Sequence, residues 1–471
     1  MCESGSFTRP LVAKHLNVLC TFTKGEMEMN YVIIGGDAAG MSAAMQIVRS
    51  GQEANITTLE KGTYYSYAQC GLPYLISGAV ENTESLIARD IDTFRNKYGI
   101  DARVSHEVTS VDPEAKKVIG INLENQETFE LPYDKLLVAT GGSPMVPNWP
   151  GRDLPGVHTL KTIPDIEAIM DDMSDVKDIT IIGGGYIGLE LAENFVEAGR
   201  HVRMIERNNR LAKMFDEDMT EAIHDEAAAH DVEVCLEESV EALEGKDHVQ
   251  AVVTDKNRYE TDMVIVATGI RPNTDFLKGT GVIREKNGAI TVNRYMETNI
   301  ENIYAAGDCA TQYHRIKEKD DYIPLGTHAN KQGRAAGLNM VGNPKAFQGI
   351  VGTSILRFFR LTLAKTGLSE VEAKAMNFPI ETISHSTSHI AGYFEGKKKL
   401  SMKITYRTDT DIVIGGQVIG EEGADKRIDV LATALFHRMT VSEFEDLDLA
   451  YAPPFNGVWD PLQQTIRRAP K

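Results

Sequence analysis

The chain has 471 residues, enough for about three domains with separate cores, which excludes a single small module. Its 42% hydrophobic and 25% charged residues and its 40 glycines describe a globular protein rich in strand–turn–helix joints, not a disordered one. A net charge of −19 argues against nucleic-acid binding, which rests on clustered Lys and Arg. No apolar run approaches the ~20 residues that span a bilayer, so no membrane partner is expected. The cysteines Cys2, Cys20, Cys70, Cys235 and Cys309 are scattered, with no Cys-x-x-Cys. That pattern indicates neither a disulfide framework nor a zinc site, and a reducing, cytoplasmic location is the expectation.

At the start of the chain, the apolar patch from Leu11 to Leu19 is broken by Lys14, His15 and Asn17, which makes a poor secretory signal. Lys24-Gly25-Glu26 can be encoded by a ribosome-binding sequence a short way before the Met29 codon. Translation is therefore expected to start at Met29, leaving 1–28 as a non-native extension; a disordered tail is the alternative.

From Met29 the pattern is strand, glycine turn, helix: Tyr31-Val32-Ile33-Ile34, then Gly35-Gly36-Asp37-Ala38-Ala39-Gly40, then small residues from Met41. It returns downstream as Ile179-Thr180-Ile181-Ile182, Gly183-Gly184-Gly185-Tyr186-Ile187-Gly188 and a helix through Leu189. Two such loops, each between a strand and a helix, predict two dinucleotide-binding folds. The first glycine permits the turn, the second lets backbone approach a pyrophosphate, and the third lets helix and strand pack closely. Asp37 departs from this pattern at the second-glycine position. Glu60 and Glu206 close the following strands about 20 residues on, where a carboxylate can bind a ribose hydroxyl or simply face solvent.

Two further apolar strands end in Thr-Gly, at Thr140-Gly141 and Thr268-Gly269, where backbone can approach a nucleotide or cross between domains. A third strand ends in Gly307-Asp308, whose carboxylate suits a flavin ribityl chain or a helix N-cap.

The candidate for chemistry is Cys70, in Ser66-Tyr67-Ala68-Gln69-Cys70-Gly71-Leu72-Pro73-Tyr74. It follows directly on the strand that ends in Glu60. Pro73 suits a first helical turn, which would put Cys70 near a helix N-terminus and lower its thiol pKa. A small buried apolar cysteine is the alternative.

These motifs together resemble the single-cysteine branch of the pyridine nucleotide–disulfide oxidoreductases, and most of all the bacillar coenzyme A-disulfide reductases. The resemblance runs from Met29 to the C-terminus. It implies FAD, NADH and/or NADPH, a homodimer, and coenzyme A held as a covalent mixed disulfide on Cys70. Lys61 would join the cofactor contacts, and Tyr186 resembles a lid over the flavin, with helix packing as the alternative. Tyr393 and Tyr451 match two tyrosines that reach the partner subunit's cysteine, so the active site would be shared across the dimer. Coenzyme A contacts are implied at Ser42, Gln46, Arg49, Ser66 and Asn330.

Some positions separate this chain from its relatives. Ala38 stands where peroxide- and oxygen-reducing relatives carry a His, and Trp459 where some relatives carry a lysine for the ligand's phosphates. The chain stops soon after the last domain, so the rhodanese module of polysulfide-handling relatives is not expected, and a dedicated persulfide role is the less expected reading. Glu206 favours NADH, while Arg203, Arg207 and Arg210 could receive a 2′-phosphate.

The expected fold class is α/β, with two Rossmann-like domains and a C-terminal α+β dimerisation domain. The expected divisions are 29–147 and 278–350 for FAD, 148–277 for NAD(P) and 351–471 for the dimer. The expected function is reduction of coenzyme A disulfide. Persulfide reduction, an NADH oxidase or peroxidase of the same branch, a non-turnover thiol sensor and a flavin reductase serving a carrier protein are the alternatives.

Overall fold

A computed structural model describes residues 28–470; the expectation for 1–28 lies almost wholly outside that range. The first glycine pattern forms the strand Met29–Ile34 and the helix Ala38–Ser50. The strand is the centre of a five-stranded sheet in the order Ile303–Ala305, Lys135–Val138, Met29–Ile34, Ala54–Leu59, Asp101–Arg103. Every pairing in it is parallel. A strand buried on both faces needs no alternation, which is why Val32, Ile33 and Ile34 run consecutively.

The second pattern repeats the plan. Asp178–Ile182 lies between His201–Glu206 and Met263–Val266, with Glu233–Leu236 and Val157–His158 at the edges of a second parallel five-stranded sheet. Each fold also carries a three-stranded antiparallel sheet, 106–132 in the first and 240–260 in the second.

The two Thr-Gly strands lead into the connection between the folds. Gly142–Pro144 pairs antiparallel with Ile270–Pro272. The Thr140 hydroxyl donates to the Asn273 carbonyl at 2.7 Å, and the Asn273 amide returns a bond to the Thr140 carbonyl at 3.1 Å. Entry to and exit from the second fold are thus clasped together.

The C-terminal region is an antiparallel five-stranded sheet in the order Ser354–Phe358, Leu361–Gly367, Val413–Gly420, Lys399–Arg407, Ile380–Ser388. The helix Ala424–Phe436 packs Ile428, Leu431 and Leu435 into its core. This is the α+β layer expected from the sequence. It docks on the second fold through the helix Tyr186–Glu197: the Tyr186 hydroxyl meets the Ser354 hydroxyl at 2.5 Å, and Arg357 pairs with Glu193. No described helix is long and apolar enough to cross a membrane.

Candidate active site

Steric demand explains the glycines of the two loops. Gly35 has φ +119° and Gly183 φ +115°, and a Cβ on either would lie 2.1 Å from the Ala139 carbonyl oxygen or 2.5 Å from that of Ala267. A Cβ on Gly40 or Gly188 would lie 2.0 Å from the carbonyl oxygen of the first glycine of its own loop. Only glycine lets each helix start this close to its strand.

The two acidic residues repeat one arrangement. Glu60 accepts the Gly36 and Gly62 amides, each at 2.8 Å; Glu206 accepts the Gly184 amide at 2.8 Å and the Asn208 amide at 2.9 Å. Each carboxylate is thereby fixed at the mouth of its glycine loop.

Around these loops the backbone stands open. A Cβ at Gly141 or Gly185 would meet nothing within 4 Å, and one at Gly269 only the Met145 Cε at 4.0 Å. Close-packed turns facing open backbone on two matched folds form a cradle that fits one dinucleotide on each. Ala39 lies inside the first loop's helix, where Gly333 of the helix Gly326–Met340 packs so tightly that a Cβ would stand 2.1 Å from the Ala39 carbonyl oxygen. Ile187 is exposed at the start of the second loop's helix. Lys61, largely exposed, pairs with Glu107 at 2.7 Å.

Asp308 is held by a residue that no local sequence pattern singles out. Lys161 reaches its carboxylate at 3.2 Å, and Tyr322 donates to its backbone carbonyl at 2.8 Å. Asp308 caps no helix, so the N-cap alternative is set aside.

Cys70 occupies a tight turn, Gln69–Gly71, followed by the four-residue helix Pro73–Ile76 with proline at its start. The segment is clipped to the first glycine loop twice. The Ser66 amide donates to the Gly36 carbonyl at 3.0 Å, and the Gln69 side-chain amide donates to Asp37 at 2.6 Å. Ser66 itself adopts φ 47°, a left-handed turn that re-aims the chain.

The expected lowering of the Cys70 pKa is corrected. Although the residue is exposed overall, partial burial of its sulfur pushes the thiol up, Glu190, Asp308 and Asp37 add to this, and Lys161 alone opposes it. A helix of one turn has too little dipole to outweigh three carboxylates. Glu190 is itself pushed up to about 7, first by burial and then by Glu193. It lies one helical turn after Tyr186, a spacing that could have exposed it in the sequence.

The two tyrosines converge. Tyr393 and Tyr451 are exposed, with their hydroxyls 3.3 Å apart. Neither is among the strongest electrostatic neighbours of Cys70 in its own chain. Trp459, also exposed, has the Arg467 guanidinium 4.0 Å from its ring centroid, so a cation lies beside the aromatic ring.

Of the residues suggested for coenzyme A, Ser42 donates to the Asn330 side chain at 2.8 Å across the packed helices Ala38–Ser50 and Gly326–Met340. Gln46 and Arg49, one and two turns further on, line a surface cavity with Leu338 and Asn343. Ser66 stands apart from these four, on the Cys70 segment. Cys309 is fully buried and donates to the Val138 and Ala306 carbonyls at 3.3 and 3.4 Å; Cys235 is buried beside Glu233. Both belong to the core.

The family profile described as pyridine nucleotide-disulphide oxidoreductase matches residues 29–333, and that family's dimerisation domain matches 353–461. The chain belongs to this family. Its members' fold, with FAD and NAD(P)H as cofactors, accounts for the two cradles.

This oxidoreductase is 40% identical over 440 residues to an "NAD(P)H sulfur oxidoreductase (CoA-dependent)" of Pyrococcus abyssi, covering 93% of this chain and 97% of that one. It is 32% identical over 429 residues to a "Coenzyme A disulfide reductase" of Staphylococcus aureus, covering 90% and 96%. Among solved structures it is similar to reduced Bacillus anthracis CoADR-RHD, with a TM-score of 0.91, 33% identity, and 94% of this chain and 80% of that one covered.

Proposed function

We propose that this oxidoreductase uses NAD(P)H to reduce coenzyme A disulfide to two coenzyme A thiols, through a mixed disulfide between Cys70 and coenzyme A. One observation carries the reading: among the described cysteines Cys70 alone is exposed, and Cys235 and Cys309 are buried. With no second exposed cysteine among the described residues to form an internal dithiol, the electron pair passes in this reading through a disulfide with substrate. The names borne by the relatives from Pyrococcus and Staphylococcus connect coenzyme A with this chemistry.

In this reading Gly35, Ala39, Gly40, Glu60, Lys61, Thr140, Gly141 and Asp308 hold FAD. Gly183, Gly185, Tyr186, Ile187, Gly188, Glu206 and Gly269 hold the nicotinamide nucleotide. FAD held in the first cradle would supply hydride acceptance from NAD(P)H and an electron pair for the sulfur.

The Cys70 thiolate attacks one sulfur of coenzyme A disulfide; that S–S bond breaks, one coenzyme A thiolate leaves, and Cys70–S–S–CoA forms. Two electrons then break the new bond, returning the Cys70 thiolate and the second coenzyme A thiolate. Two protons, one arriving with the hydride and one from solvent, complete two thiols. Ser42, Gln46, Arg49, Ser66 and Asn330 hold the coenzyme A, with the Arg49 guanidinium on its phosphates. Tyr393 and Tyr451 of the partner subunit donate hydrogen bonds to the departing sulfur, so each active site draws on both protomers.

The test is consumption of NADH and NADPH by the purified dimer with coenzyme A disulfide, coenzyme A persulfide or oxygen as sole oxidant. Fastest turnover with coenzyme A disulfide, two thiols appearing per nucleotide consumed, supports the reading. Faster turnover with the persulfide or with oxygen moves the assignment to persulfide reduction or oxidase activity.

A further inference from the structure

We propose that Asp37 is a positioning residue for Cys70: held by Gln69, its carboxylate opposes negative charge on the cysteine sulfur. This rests on the reading of Cys70 as the redox centre.

Asp37 stands where the loop pattern wants a second glycine, at the point of approach to a pyrophosphate. A carboxylate there is repelled by phosphate unless it turns aside or is neutral. The structure shows it turned aside. Asp37 opens the helix Ala38–Ser50 in an extended conformation, yet its side chain makes no capping bond. It reaches instead across to the Gln69 amide at 2.6 Å, and Gln69 is bonded directly to Cys70 within one tight turn. The Ser66–Gly36 backbone bond at 3.0 Å holds the same two segments in register. The cysteine turn therefore cannot shift without moving Asp37.

The charged and titratable groups that face Asp37 are Glu60 from the second strand, Lys161 from the loop before the helix Ile163–Asp172, and Tyr67 and Cys70 from the cysteine segment. Cys70 faces Glu190 and Asp308 besides. Burial raises the Asp37 carboxyl to about 6, and Glu60 adds to this; the Gln69 bond, Lys161 and the Ala38 amide hold it back. Asp37 is already ionised where the Cys70 thiol loses its proton, so its negative charge stands beside the sulfur and disfavours the thiolate. The repulsion makes Cys70 a poorer leaving group in a mixed disulfide, which favours departure of the substrate sulfur.

The experiment reads the pH dependence of iodoacetamide alkylation at Cys70, by peptide mass, in the FAD-loaded full-length protein after dithiothreitol treatment and desalting. Asp37→Asn is expected to lower the midpoint by about 1 unit, a tenfold gain in thiolate at a pH below it. Gln69→Ala leaves the glycine loop intact and frees the Asp37 carboxylate from the cysteine turn, so it is expected to shift the midpoint the same way by less. Should Asp37→Asn fail to retain FAD, the Gln69→Ala profile decides. Profiles that coincide with wild type overturn the proposal. A shifted profile in an enzyme that does not turn over coenzyme A disulfide keeps the repulsion and removes the reductase reading; turnover without a shift does the reverse.

Discussion

Tyr393 and Tyr451 bring their hydroxyl oxygens within 3.3 Å of each other on an exposed surface, although 58 positions separate them in the chain. Two exposed phenols that share a hydrogen bond offer a further donor to a third atom, and a sulfur anion is a fitting acceptor. Tyr451→Phe is therefore expected to lower kcat for coenzyme A disulfide by about 10- to 100-fold, the loss of one hydrogen bond to a charged group. FAD content and the KM for NADH should stay near wild type. Unchanged kcat in steady-state assays of both single Phe variants would make the pair structural.

Cys70→Ser should keep FAD, because the cradle residues are separate from the thiol, and should lose disulfide reduction altogether. Visible absorbance measures the first and NADH consumption the second. Appreciable turnover by the variant removes Cys70 from the mechanism.

Gly333→Ala tests the packing beneath the first cradle. Its Cβ would meet the Ala39 carbonyl oxygen at 2.1 Å, an overpacking that costs about 1–3 kcal/mol. A lower Tm and weakened FAD retention are expected in thermal melts read by flavin fluorescence, and an unchanged Tm would show that the two helices can slide apart freely.

Glu190 gives a pH signature. Its folded-state pKa of about 7 lies above the usual 4.5, so the folded state holds an extra proton between those values. The stabilisation is full below pH 4.5 and is lost as pH rises through 7. Glu190→Gln should flatten that stretch of the stability curve and, by linkage, gain up to about 3 kcal/mol at pH 8. Urea midpoints from pH 4 to 8 measure it, and parallel curves for the two proteins would place the titration elsewhere.

Nucleotide choice follows from the second cradle. Arg203 pairs with Glu233 at 2.8 Å and lies over the Tyr259 ring, so it is committed before any 2′-phosphate arrives, while Glu206 is fixed at the loop mouth. NADH should be preferred in kcat/KM. Glu206→Ala is expected to shift the ratio toward NADPH by about tenfold or more; a wild-type preference for NADPH would contradict this.

Much of the scaffold was legible because its determinants are local. Gly35, Gly40, Gly183 and Gly188 sit within six residues of the turns they permit, and each acidic strand end follows its loop by about 20 residues. What escaped the sequence arises between distant segments. Lys161 and Asp308 lie 147 positions apart, and Arg357 meets Glu193 only where the last sheet docks on the second fold. The Cys70 pKa departs from the expectation for the same reason: Pro73 is adjacent in sequence, whereas Glu190 and Asp308 come from other parts of the chain. Asp37 was visible as a departure, but its bond to Gln69 required the fold.

The intact mass of the unreduced protein, before and after dithiothreitol and with Cys70→Ser alongside, tests the central claim most directly. The account predicts that wild type alone loses the mass of one coenzyme A on reduction. An unmodified wild type, or one whose Cys70 is found as a sulfenic acid, would contradict the mixed disulfide and favour the oxidase or sensor readings.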